Sequence, residues 1–124
     1  MQIRIHYHHT DSGGVVYYAN YFKVLDEART EYLEARGLSI KGLVEEGILF
    51  VVARQEIDYT LPVRYGDTLS IDTRITNLSG ARIEFEGLVS NQHAQRCLTA
   101  RTTLACVDRN FRPKAIPRKI RSCI

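Results

Sequence analysis

HHTDSGGVVYYANY, residues 8–21, joins two kinds of periodicity. Before it, Ile3, Ile5 and Tyr7 alternate with Gln2, Arg4, His6 and His8. That period of two predicts a strand over residues 2–9 with one apolar face. After it, from about Tyr18 to Arg36, Tyr21, Leu25, Ala28, Tyr32 and Ala35 recur at spacings of three and four, with Val24 and Leu33 widening the stripe. This predicts one long amphipathic helix. Gly37 is placed to end it. Ser12-Gly13-Gly14 is the break between the two patterns.

Outward from this point the chain reads as strands. Ser39 is placed to cap one short helical turn that Gly47 would end. Ile48–Tyr59, residues 68–76, residues around Ile83–Ser90 and residues 97–107 are strand-like, separated by turn signals at Pro62, Gly66, Asn77–Gly80 and Asn91–Ala94. Gly87 lies inside one of them and predicts a bulge or a close backbone approach. Strands that follow one helix argue for an α+β fold with an antiparallel sheet of about five strands. Such a sheet would curl around the helix, and a second subunit would cover its outer face and edges. The 124 residues suit a single domain, 1–124, with 109–124 as a basic C-terminal segment.

The charge balance sharpens that last boundary. The chain carries 17 Lys and Arg against 14 Asp and Glu. Arg109, Arg112, Lys114, Arg118, Lys119 and Arg121 fall in the final segment, which has no acid. A solvated tail is the plain expectation; contact with a membrane or an acyl-carrier protein is the functional one. Nothing predicts a nucleic-acid partner. Cys97, Cys106 and Cys123 are odd in number and lack CxxC spacing, so reduced thiols in a cytoplasmic protein are expected. MQIRIHYHH has no apolar signal region, and no apolar run approaches the roughly 20 residues of a membrane span.

The linking stretch admits several chemistries. His6 and His8 share a strand face and Asp11 is near, but no distant ligand set completes a zinc site, so no metal is expected. Ser12-Gly13-Gly14 lacks the phosphate-loop patterns. The third reading is acyl transfer. A helix beginning near Tyr18 offers unpaired N–H groups to a developing oxyanion, glycines clear the approach, and Asp11 could attack a carbonyl or activate water. Against it, aspartate often just caps a turn.

Thr10 to Tyr21 resembles the signature of the 4-hydroxybenzoyl-CoA thioesterase family of hotdog-fold proteins, Asp-x-x-Gly-[hydrophobic]-Val-x-[Tyr/His]-x-Asn-Tyr. Tyr59-Thr60-Leu61-Pro62-Val63-Arg64-Tyr65-Gly66-Asp67 is similar to the family's Tyr-x-x-Pro-x-x-Tyr-Gly-Asp turn. The resemblance implies a hotdog fold, a homo-oligomer (dimer or tetramer) with active sites at subunit interfaces, and hydrolysis of an acyl-CoA thioester without a cofactor. Asp11 matches the catalytic carboxylate and Tyr18 the position whose backbone N–H polarises the thioester carbonyl. Gly14 and Asn20 match fixed positions of the motif, here assigned to substrate binding. Arg82 and Arg101 are further candidates, since coenzyme A carries phosphates. Many relatives have Asp where this chain has His9, and His where it has Tyr18. A non-catalytic acyl-CoA or acyl-carrier-protein binding hotdog protein is the alternative; a hotdog dehydratase is disfavoured.

Overall fold

The computed structural model describes every residue from Met1 to Ile124. Five strands form one antiparallel sheet: β1 (Gln2–Arg4), β2 (Leu49–Tyr59), β3 (Thr68–Leu78), β4 (Arg82–Ser90) and β5 (Arg96–Val107), in the spatial order β1-β3-β4-β5-β2. Helix α1 (Tyr18–Glu34) lies against one face, followed by the short α2 (Ile40–Glu45). This is the expected hotdog architecture. Ser39 caps α2 by accepting the Gly42 N–H at 3.2 Å. The Leu38 N–H reaches back to the Leu33 carbonyl around Gly37 and closes α1.

The alternation in the sequence decides which strand faces meet the helix. Ile83, Phe85 and Val89 of β4 and Leu98, Ala100, Leu104 and Cys106 of β5 are buried. Two apolar clusters result. One surrounds Tyr21, Val24, Leu25 and Ala28 at the start of the helix. The other gathers Leu33, Leu38, Leu43, Phe85 and Ile120 toward its end. Gly87 is a close approach and not a bulge: a Cβ there would lie 3.0 Å from Leu25 Cδ2. The register shifts fall elsewhere, between Val52 and Arg54, Ile75 and Asn77, and Val89 and Ser90.

Two expectations need correction. The first strand is three residues long, not eight, and a 3₁₀ turn occupies Tyr7–His9. Ile5 still bonds across, donating to the Asp67 carbonyl and accepting from Gly66. Beyond it, His9 N–H turns back to the His6 carbonyl, so local bonds replace the ladder and Tyr7 points outward, 81% exposed. The basic C-terminal segment is not a solvated tail. Ile116 and Ile120 are buried, the second on a short helix, α3 (Arg118–Arg121). Arg121 donates to the carbonyls of Ser79 and Gly80, and Lys119 pairs with Glu46. The apolar pair at spacing four outweighs the solvation of the cations around it.

Replacing Gly87 with valine forces Leu25 and the helix outward, and denaturant unfolding should show a loss of about 1–3 kcal/mol.

Candidate active site

Asp11 to Val16 fold into a small hairpin. Asp11 N–H donates to the Val15 carbonyl at 2.9 Å, Gly14 N–H to the Asp11 carbonyl at 3.0 Å, and Thr10 bridges Val16. Gly14 adopts φ +77°, a left-handed conformation that explains why glycine stands there. The Asp11 side chain is exposed, and its Oδ1 accepts the Gly13 N–H at 2.8 Å. This is the turn-capping role foreseen for an aspartate. It uses one carboxylate oxygen and leaves Oδ2 without a hydrogen bond inside the chain.

The hairpin is tied to two other elements. Val16 N–H donates to the Val63 carbonyl at 2.8 Å, and Val15 bridges Arg64. The segment that receives it is held by Asp67. Its Oδ2 accepts the Arg64 N–H and its Oδ1 accepts from Gln92, both within 2.9 Å. The Tyr-Gly-Asp turn thus braces the segment that carries the carboxylate. On the other side, the His9 carbonyl accepts two bonds: the Tyr17 N–H at 3.0 Å and the Asn20 side-chain amide at 2.8 Å. Asn20 therefore fastens the first turn of α1 to the 3₁₀ turn that leads into Asp11.

Helix α1 starts without a side-chain cap. The N–H groups of Tyr18 and Ala19 have no acceptor within the chain. They stand at the positive end of a 17-residue helix. Tyr18 is 57% exposed, and its ring packs against that of Tyr17 at a tilt of 55°, ring centroids 4.6 Å apart. Beside this helix end is a recess of about 420 Å³ lined by Val15, Val16, Tyr18, Tyr21, Tyr59 and Leu61 among others. Tyr21 closes its floor. Burial pushes its hydroxyl up to about 12.

Further along α1 the helix and β2 flank a second recess, lined by Phe22, Lys23, Asp26, Arg29, Val52 and Gln55. Here the sequence reading missed a feature. Arg29 is buried, 7% exposed, between the two apolar clusters. Its Nη1 donates to Thr102 Oγ1 at 3.2 Å, and Thr102 in turn donates to Gln55 Oε1 at 2.8 Å. Asp26 pairs with it at 3.6 Å. Burial lowers the Arg29 pKa and Asp26 opposes that shift. The available signal was the spacing: Arg29 follows Leu25 by four residues and so falls on the apolar stripe.

The arginine candidates lie apart from Asp11 in the same chain. Arg82 pairs with Ala105 at the end of the sheet where the C-terminal segment docks. Val89, nearer the hairpin end, is seven residues along β4, roughly 24 Å at strand rise. Arg101 is exposed on the sheet face turned away from α1, in register with Glu86 and Glu56. No group of three or more His, Cys, Asp or Glu side chains is arranged to hold a metal ion. No helix is long and apolar enough to cross a membrane.

Comparison with known proteins places this arrangement. The model of the thioesterase-like superfamily matches residues 5–124. The chain belongs to that superfamily. Within it, the chain is 35% identical over 119 residues to the acyl-CoA thioester hydrolase YbgC of Escherichia coli, covering 95% of this chain and 89% of that protein. It is 35% identical over 122 residues to the acyl-CoA thioesterase YbgC of Haemophilus influenzae, covering 97% and 89%. The crystal structure of Slr0204, a 1,4-dihydroxy-2-naphthoyl-CoA thioesterase from Synechocystis, superposes with a TM-score of 0.92 at 24% identity, covering 100% of this chain and 93% of that one. That similarity establishes the shared fold of the superfamily.

Asn20→Ala should release the first helical turn from His9. We expect a loss of about 1–2 kcal/mol in stability, with faster hydrogen exchange at the Tyr17 amide than elsewhere in α1.

Proposed function

We propose that this thioesterase-superfamily chain hydrolyses an acyl-CoA thioester through Asp11, with the backbone N–H of Tyr18 as the oxyanion donor. The observation that carries this reading is a carboxylate oxygen free of internal bonds on a braced hairpin that leads directly into an uncapped helix N-terminus. The thioester carbonyl accepts the Tyr18 N–H, and the helix dipole stabilises the charge that develops on it. In one route, Asp11 Oδ2 attacks the carbonyl carbon, the C–S bond breaks, and coenzyme A leaves as thiolate. Water then cleaves the mixed anhydride. In the other, the carboxylate takes a proton from the attacking water. Gly14 keeps the approach open, and Asn20 holds the helix end in place. The YbgC relatives, named as acyl-CoA thioester hydrolases, support the reaction class.

A homo-oligomer completes the reading. β2 is an edge strand of 11 residues. Val52, Tyr59, Tyr18 and Phe22 expose apolar surface beside it. A second copy paired along this edge would cover it, and two such dimers make the tetramer we favour. Arg82 and Arg101, remote from their own Asp11, would then serve coenzyme phosphates held at a neighbouring subunit's site. Arg112, Lys114 and Arg118, outside any ion pair, are where an acidic acyl-carrier protein or an anionic membrane would meet the chain. The three unpaired thiols suit a cytoplasmic setting.

One observation favours the alternative of a non-catalytic acyl-CoA or acyl-carrier-protein binder: Asp11 already has a turn to cap. Steady-state hydrolysis of an acyl-CoA panel decides between them. Asp11→Asn can still accept the Gly13 N–H, so the turn survives while kcat should fall about 10²–10⁴-fold with KM nearly constant. Equal turnover in the variant, or binding without turnover in the parent, would reject the catalytic role.

A further inference from the structure

Three imidazoles crowd the 3₁₀ turn that precedes Asp11. Ring centroids are 4.0 Å apart for His8 and His9, 6.0 Å for His6 and His9, and 6.1 Å for His6 and His8. They are not equivalent. His9 is half-buried, whereas His6 and His8 are exposed. His9 Nδ1 accepts the His6 N–H at 2.9 Å, while the His9 N–H donates to the His6 carbonyl at 3.0 Å. Residues 6 and 9 are therefore clasped in both directions. The clasp requires a lone pair on Nδ1, hence a neutral ring carrying its proton on Nε2. The carbonyl of the same residue holds Tyr17 and Asn20 at the start of α1. One residue thus joins the turn, the approach to Asp11 and the helix N-terminus.

We propose that His9 is a positioning residue for Asp11: its neutral ring clasps the turn that sets the hairpin against the Tyr18 N–H, and protonation of the ring opens the clasp. The proposal rests on the catalytic reading of Asp11 and gives that reading a pH control. A proton on Nδ1 would face the His6 N–H donor to donor and leave that amide without its acceptor. It would also place a cation against two other imidazoles, whose ring centroids lie 4.0 and 6.0 Å from its own. From α1, Lys23 and Glu27 act on the ring with opposite signs, Lys23 against protonation and Glu27 for it. Asp11, two residues on, is exposed to water. Burial, then His8, then His6 hold His9 below the usual histidine value. A group whose folded pKa is depressed stabilises the folded turn at pH above its unfolded value, about 6.5, and loses that contribution as pH falls toward the folded value.

The test combines kinetics with proton NMR on the full-length protein. At pH 7.5, His9→Ala should lower kcat about tenfold while KM changes less than about twofold. His9→Asn supplies an oxygen near the place of Nδ1 that does not titrate. It should restore kcat to within about twofold of the parent and remove the acid fall in kcat that we expect of the parent where the folded ring takes up its proton, below the usual histidine value. In the parent, the amide signals of His6 and Tyr17 and the Asn20 side-chain amide should shift with the His9 ring titration. Parent-like kcat in His9→Ala, a retained acid fall in His9→Asn, or amide signals indifferent to His9 would each overturn the proposal. Should Asp11→Asn keep full turnover, the catalytic reading fails while the NMR coupling is still read separately.

Discussion

The depth at which α1 sits on the sheet depends on one contact. Leu25 lies over Gly87, where the space for a Cβ is already taken. Any larger residue at position 87 would press on Leu25 and lift the helix. The apolar contacts of Tyr21, Val24 and Ala28 with Val63, Val89, Leu98 and Ala100 all presume that depth. So does the height of the helix N-terminus above the hairpin, because Tyr18 begins the same rigid rod. A backbone hydrogen at Gly87 thus bears on where the free amides of the site are held.

The site itself is built from backbone as much as from side chains. Its only acid is exposed and already half engaged in a turn. What distinguishes it is bracing from two sides: Asp67 and Gln92 behind the Val63–Arg64 segment, Asn20 and the His9 carbonyl behind the helix start. These polar groups spend their hydrogen-bonding capacity on main-chain partners. One carboxylate oxygen and the first helix amides are left without partners inside the chain.

Much of this could be read from the amino-acid order, for physical reasons. The helix and the strands β3 and β4 announce themselves because burial on one face imposes periods of 3.6 and two, whereas β2, with no fully buried residue, shows through its β-branched content. Ser12-Gly13-Gly14 was legible as a break between strand and helix, while the hairpin it forms at Asp11 depends on bonds to Val15 and Val63 that the pattern does not state. The first strand misled because Ile3, Ile5 and Tyr7 keep alternating past the point where His6 and His9 prefer to bond each other; competition between a ladder and a local clasp leaves no trace in periodicity. The C-terminal segment misled because its six cations mask Ile116 and Ile120, which do the docking. Arg29 escaped because a stripe is recognised by its apolar members, and its Thr102 partner is 73 residues away. The distance of Arg82 from Asp11 depends on strand order, which the pattern alone does not state.

The buried chain from Arg29 through Thr102 to Gln55 also has a geometric consequence. Apolar contacts tolerate sliding: Leu, Val and Ala would still find grease if α1 advanced along the sheet by one turn, about 5.4 Å. A guanidinium does not tolerate it, because the shifted position would leave a desolvated cation without its hydroxyl. The arginine therefore works as an axial detent. It selects one longitudinal stop for the helix among several of similar greasiness, and with it the location of the Tyr18 amide eleven residues upstream.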